Sequence, residues 1–545
     1  MEFVMRQAGR RIMQGLSIAG CVLALCGTAQ AQRWENLFGD TTLQTARNGV
    51  RPVTGGGYIA VGGSNIGPNE DIYVVRTDNH GLLGWSKTYS IGNADVATDI
   101  EEVLTGGVNN GFIITGYTNH GDPGDTCGNS QDIFLLRIDN CGAVMWQNTY
   151  GAATTDEYAW DVIVATVGNA GPPITNPGDF VVAGWQGSTP NRDGYLLRTT
   201  ALGAPIWGQL YNLPQNNFDD YFYSLDEATV GGGAGDIIAA GGSTSFRVPA
   251  NLDTWMVRVP GTGVGVTASL AYGGAATDED LRSVQELNSG GFGIIGDIIA
   301  VGRMTTGANT DVYLLQANNL LLPVGDRRNG FNLSDEGYYV REIPGPPNVP
   351  SRVIVTGHIT PPVGWGFGGT DAFLQEFTTG PGLAPFGNEF VYGGPRDDRG
   401  WSVEPIQLNT VCTRPGFIVA GFFQGTANDP QQLYMFKTDV NVLGDKTTGC
   451  DTSFTPPTQS PNFSDNPARP TPRPFTNECI PPITHVSRTW IDVLCPLKLD
   501  GTVNCPVPDC KPAPQQKNLD PDFSDRMQKN SGDAIYARGT MVMEK

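Results

Sequence analysis

An all-β chain built from tandem repeats is predicted for these 545 residues, on three observations. The first is composition. Gly (72) and Pro (39) fill about a fifth of the positions, above the roughly 12% of ordinary proteins and below the roughly 25–30% of low-complexity chains. Only 16% of residues are charged, too few for coiled coils or long surface helices. Gly, Pro and aromatic residues together suit short strands joined by tight turns. The second observation is a short apolar strand ending in Gly that recurs seven times: Tyr58–Gly62, Phe112–Gly116, Phe180–Gly184, Ile237–Gly241, Ile298–Gly302, Val353–Gly357 and Phe417–Gly421. The third is that each copy is followed by the same sequence of partners, which marks a repeat architecture.

The partners come in a fixed order. A second strand opens on Asp and closes on Arg in four copies, Asp71–Arg76, Asp132–Arg137, Asp193–Arg198 and Asp253–Arg258, and varies in Asp311–Gln316, Asp371–Glu376 and Gln432–Lys437. A turn such as Asp78-Asn-His-Gly81 or Asp139-Asn-Cys-Gly142 reverses the chain into a Trp-x-x-x-Tyr strand, as in Trp85–Tyr89, Trp146–Tyr150 and Trp207–Tyr211. An acidic loop then leads into a fourth strand. Each unit is therefore a four-stranded antiparallel meander. The seventh unit lacks its Trp-led strand, and that missing strand stands near the N-terminus as Trp34-Glu-Asn-Leu-Phe38. A strand borrowed from the start of the chain closes a ring and leaves only short sheet edges. The prediction is a seven-bladed β-propeller over residues 32–450, closed by the N-terminal strand.

The repeat, Gly-Phe/Tyr-Ile-x-x-Gly, then Asp-x-Phe/Tyr-Leu-x-Arg, then Trp-x-x-x-Tyr-Gly, resembles the tandem repeats of secreted bacterial β-propeller proteins, mostly uncharacterised. The resemblance covers residues 34 to about 450. It implies the fold and leaves function open, because propellers host enzymes and binding modules alike. The turn from Asp78 to Trp85 is similar to the Asp-box of sialidases, but its Asp–Gly and Gly–Trp spacings are each one residue longer, so no sialidase chemistry is carried over.

Residues 1–31 read as a secretory signal peptide. Arg6, Arg10 and Arg11 precede an apolar stretch from Leu16 to Cys26, and Ala29-Gln30-Ala31 supplies a cleavage site. Ile18-Ala19-Gly20-Cys21 also matches a lipoprotein box, the minority reading, in which Cys21 carries a lipid anchor. No later stretch approaches the ~20 apolar residues of a membrane helix. A secreted, extracellular or cell-surface address is expected, with the periplasm as the alternative. The formal charge of −21 repels phosphate backbones, which excludes nucleic acid as the expected partner. Beyond the propeller, residues 451–478 read as a Pro-rich linker, 479–510 as a Cys-rich segment and 511–545 as a polar, disordered tail. An exported chain favours disulfides. Cys412 and Cys450 fall in loops of the seventh unit on one face, where a bridge is feasible; Cys479, Cys495, Cys505 and Cys510 form a second candidate set. Cys127 and Cys141 flank a strand and pair only if the loop between residues 117 and 130 folds back.

Catalytic signals are sparse. The four His, at 80, 120, 358 and 485, lie far apart in sequence, so neither a metal site nor a triad has local support. One pattern of acids stands out. Asp71, Asp132, Asp193, Asp253, Asp311 and Asp371 open the second strands. Asp40, Asp95, Asp156/Glu157, Asp219/Asp220, Asp278/Glu279/Asp280, Asp335/Glu336 and Asp397/Asp398 open the inner strands. Alternating strand direction puts both sets on one face of the disk, near the channel mouth. Recurrence in nearly every blade favours caps on turn N–H groups; cation binding, with Ca2+ as the ion, and a carboxylate pair for glycan hydrolysis are the alternatives. The repeated Trp34, Trp85, Trp146 and Trp207 are expected to pack between blades. The function expected is an exported, non-enzymatic binding or scaffold propeller whose ligand is an envelope or extracellular protein, a glycan or a cation. The alternative is a glycan-active hydrolase or lyase using paired acids on that face. No catalytic or cofactor-binding residue is assigned.

Overall fold

The computed structural model describes residues 34–39 and 44–438, less loop segments at 65–68, 120–130, 153–154, 171, 213–217, 231–232, 247–250, 290–294, 331–332, 344–350, 361–368, 394–395, 407–415 and 425–430, together with four short strands between 452 and 474. It is a seven-bladed β-propeller. Blade 1 runs from its inner strand Gln44–Pro52 through Tyr58–Ser64 and Asp71–Thr77 to its outer strand Leu83–Tyr89, and each later blade repeats this antiparallel order. The inner strands of blades 2 to 7 are Ala94–Thr105, Glu157–Val164, Asp220–Glu227, Asp278–Glu286, Glu336–Ile343 and Arg399–Ile406. The outer strand of blade 7 is Trp34–Phe38, which pairs antiparallel with Gln432–Lys437, Trp34 opposite Lys437. The N-terminal strand thus closes the ring as the repeat count requires. The segments Thr452–Phe454, Thr458–Gln459, Ser464–Asp465 and Arg473–Pro474 add to the outer strands of blades 6, 5, 4 and 3 in turn.

The core is divided into seven clusters, one at each junction between neighbouring blades. Side chains alternate across a strand, so in Tyr58-Ile59-Ala60-Val61 the residues Ile59 and Val61 pack toward blade 2, whereas Tyr58 and Ala60 pack toward blade 7. Both faces are buried, which is why these strands read as continuous apolar runs. The Gly that ends each run has a specific cause. Every inner strand shifts register opposite it, as between Ala159 and Asp161 or Phe222 and Ser224. The bulge brings a carbonyl so close that a Cβ on Gly184 would lie 1.7 Å from the Tyr158 oxygen, and one on Gly241 would lie 2.0 Å from that of Tyr221.

The Trp-x-x-x-Tyr strand clasps the next blade. Trp85 is fully buried, and its Nε1 donates to the Asn140 carbonyl at 3.2 Å. Tyr89 donates its hydroxyl to the Gly142 carbonyl at 2.7 Å. Trp34 and Trp207 make the same reach to Asn79 and Gly261, and Tyr150 reaches Gly203. The turn so held is built by Asp139, whose carboxylate accepts the N–H groups of Cys141 and Ala143 at 2.9 and 2.8 Å. Gly142 sits there at a φ of 72°, where a left-handed residue is needed and the neighbouring Trp85 and Tyr89 leave no room for a side chain. Asp139→Ala removes this turn cap and is expected to lower stability by about 1 kcal/mol, read as a shift in the urea midpoint. Cys141 is buried and disulfide-bonded, its partner lying outside the described residues. The candidate cysteines 412, 450, 479, 495, 505 and 510 all lie outside them.

Candidate functional site

The predicted acids open their strands on one face of the disk. Asp132, Asp253, Asp311 and Asp371 are buried, Asp71 and Asp193 half-buried. They stand at blade junctions, where the next blade's inner-strand acid joins them. Asp132 and Glu157 both abut Gly151, Asp253 and Glu279 abut Gly273, Asp311 and Asp335 abut Gly330, and Asp371 and Asp398 abut Gly393. The acid one position earlier caps the backbone: Asp156 accepts from Gln131 N at 3.0 Å, Asp219 from Arg192 N at 3.1 Å, and Asp397 from Thr370 N at 2.9 Å. Each bond crosses from one blade to the next, so this acid pattern fixes blades to one another. Burial raises the pKa of Asp95 to about 6, of Glu157 to about 7 and of Glu279 to about 8. Among the described residues no group of three or more His, Cys, Asp or Glu is arranged to hold a metal ion. His358 is buried beside Tyr338, whose hydroxyl lies 2.8 Å from Nδ1, and burial lowers its pKa to about 3, so it is neutral. His80 is exposed in a turn.

The channel itself is lined by positions at which the repeats differ. After the bulge, the inner strands place Asp99, Asp161, Ser224, Ser283, Tyr339 and Ser402 in one tier. The side chains of this tier stitch the ring. Asp99 accepts from Val162 N at 3.3 Å, Asp161 from Leu225 N at 2.9 Å, Ser224 from Val284 N at 3.2 Å, Ser283 from Val340 N at 3.3 Å, and Ser402 from Val50 N at 2.8 Å. Ser224 also donates to Asp161 at 2.8 Å. Ser224→Ala should therefore cost about 1–2 kcal/mol of stability by leaving Val284 N and Asp161 under-satisfied, measured by chemical unfolding. Two residues further on, Arg51, Glu101, Ile163, Asp226, Gln285, Arg341 and Glu404 line a cavity of about 360 Å³. Arg51 bonds Asp99 at 3.1 Å and Glu101 at 2.7 Å, and Arg341 bonds Glu404 at 2.8 Å.

The residue extruded by each bulge is the feature that sequence reading missed. Blades 2 to 7 place Thr98, Trp160, Tyr223, Arg282, Tyr338 and Trp401 there. Five of them form two contacting groups at the mouth. Trp160 meets Tyr223 edge-on at 5.1 Å, and the Arg282 guanidinium lies over Tyr223 at 4.2 Å. In the second group, Tyr338 stacks on Trp401 at 4.0 Å. Behind this arc, Trp185 stacks on Trp160, and Arg192 lies over Tyr221 at 4.6 Å and Trp185 at 5.3 Å. Trp160, Tyr223, Arg282 and Trp401 are half-buried, so the arc is open to solvent. The signal that finds it is divergence. Repeats keep what the fold needs in every copy, so a channel-facing position that holds Thr, Trp, Tyr, Arg, Tyr and Trp has been released from that common role.

No protein-family model and no curated protein matches the chain. Among solved structures it is similar to Sqt1 from Chaetomium thermophilum, at 9% identity and a TM-score of 0.37 over 74% of this chain and 99% of that one. It is also similar to the same organism's Sqt1 bound to the N-terminus of the ribosomal protein L10, at 10% identity and a TM-score of 0.38 over 74% and 98%. At such identities the likeness is one of fold. These matching structures are Sqt1 chains, one of them bound to the N-terminus of a ribosomal protein, and the secreted, extracellular or cell-surface address expected from residues 1–31 is withdrawn. No helix among the described residues is long and apolar enough to cross a membrane.

Proposed function

We propose that the chain is a non-enzymatic binding propeller that engages a protein partner through the aromatic and arginine arc at its channel mouth. The observation that supports this reading is the arc of Trp160, Tyr223, Arg282, Tyr338 and Trp401, set at a position where every other role of the repeat would call for uniformity. Trp, Tyr and Arg are the side chains that dominate binding hot spots. The acids that a hydrolase would use are engaged differently: Asp156, Asp219 and Asp397 hold backbone N–H groups of a neighbouring blade. Such bonds give these acids a structural role in joining blades.

The test is comparative capture from the native proteome. Wild-type chain is set against Trp401→Ala and against Leu202→Ala, a residue 79% exposed in a turn away from the mouth. Partners held by the wild type should be lost, with affinity down at least tenfold, from the Trp401 variant and kept by the Leu202 variant. Equal retention by both variants would place binding elsewhere and remove this reading.

A further inference from the structure

The geometry points to a carboxylate-bearing peptide segment as the group that seats in the mouth, an inference that rests on the binding reading above. Three observations carry it. The first is charge. Arg282 and Arg303 both lean on a single carboxylate, Asp280, at 3.2 and 3.1 Å. Arg303 also lies 3.5 Å from Glu336, and Arg192 pairs with Asp219 at 3.0 Å. Arg399 donates to the Tyr338 hydroxyl at 3.0 Å and has no carboxylate partner among the described residues. Among the described residues, these four guanidinium groups thus share three paired carboxylates. Burying a guanidinium without a full set of acceptors is costly, and an incoming carboxylate offsets that cost.

The second observation is a set of unfilled donors. Trp160 Nε1 and the Nε atoms of Arg192, Arg282 and Arg399 are buried with no acceptor among the described residues. All four belong to the mouth or to the side chains behind it. A buried N–H left unpaired costs free energy, so a group of donors short of acceptors in one place marks where acceptors arrive, directly or through one water. Carboxylates supply them in the form that Arg binds best, and peptide carbonyls suit the indole N–H.

The third observation separates a peptide from a sugar. A pyranose ring needs a free, flat aromatic face. Here one face of each ring is already used: Trp160 lies on Trp185 at 5.4 Å and 23°, and Tyr338 lies on Trp401 at 4.0 Å and 20°. Tyr223 stands edge-on to both Trp160 and Trp185. What the mouth offers is ring edges, N–H donors and guanidinium groups, which is hydrogen-bonding and ionic recognition.

Titration of the full chain by tryptophan fluorescence tests this, with hexaglutamate, hexalysine and trigalacturonate as probes. Hexaglutamate is expected to bind, to weaken at least tenfold between 50 and 300 mM salt, and to lose at least fivefold in Arg192→Gln and in Arg399→Gln. Trp160→Phe keeps a ring and removes the N–H, and should weaken binding two- to fivefold with the fold intact by circular dichroism. Arg192 is half-buried at the surface, so its variant keeps the test alive if Arg399→Gln fails to fold. Absence of hexaglutamate binding, equal binding of hexalysine, or tighter binding of trigalacturonate than of hexaglutamate each overturns the inference. A captured partner that is lost from Trp401→Ala yet unaffected by Arg192→Gln and Arg399→Gln would also overturn it, while leaving the binding function in place.

Discussion

Trp85→Ala is expected to destabilise the propeller by about 3–5 kcal/mol, the range for truncating a fully buried Trp. The side chain has no exposed surface and sits in the cluster between blades 1 and 2, against Phe112, Phe134 and Ile138. Truncation leaves a cavity at a junction and also removes the Nε1 bond to the Asn140 carbonyl. Gly142, which packs against the ring, then loses the wall that holds its turn. Trp85→Phe separates the two contributions. It keeps most of the volume and loses the N–H, so it should cost clearly less than the Ala variant. Equilibrium unfolding in guanidinium checks both. A loss below 1 kcal/mol for the Ala variant would show that the junction closes by repacking and that the clasp is not what joins the blades.

The comparison between repeat and structure shows which physics a sequence displays. Features needed once per blade are legible because they recur. The Gly that closes each recurring apolar run marks the approach of a bulged carbonyl, and the Trp and Tyr of the outer strand mark the clasp on the next turn. The closing strand was legible by subtraction, since only Trp34–Phe38 matched the part missing from the seventh unit. The acids were placed on the correct face and read as caps, but their depth was not legible. Asp156 and Glu157 are neighbours in sequence, yet Asp156 caps Gln131 N and Glu157 is buried against Gly151. Which of the two points inward is decided by strand alternation at the junction, one residue being enough to reverse it. The arc at the mouth was invisible for a related reason. Its residues are extruded by bulges, so they break the two-residue period, and they differ between blades, so no repeat search aligns them. The candidate cysteines at 412, 450, 479, 495, 505 and 510 fall outside the described residues, and no pairing among them is drawn.

Raising the pH from 5 to 9 is expected to weaken the fold, and the buried acids give the sign. Burial raises the folded-state pKa of Asp95 to about 6, of Glu157 and Asp226 to about 7, and of Glu279 to about 8. In the unfolded chain these groups ionise near 4. Between those values the native state therefore binds more protons than the unfolded state, and stability falls as pH rises. The contribution is fully present below about pH 4 and is lost progressively until pH passes the folded pKa. For Glu279 the difference corresponds to about 3–5 kcal/mol once the group is ionised in both states. The main cause is burial, and the charge of Asp253, which shares the space beside Gly273, adds to it. Glu279→Gln keeps the shape of the protonated side chain and cannot ionise. Thermal melting from pH 5 to 9 should show a falling Tm for the wild type and a shallower fall for the variant, which should melt above the wild type at pH 8.5 and close to it at pH 5. Parallel curves for the two proteins would mean that Glu279 is ionised throughout, and that the blade junctions hold two charges by cross-blade N–H bonds alone.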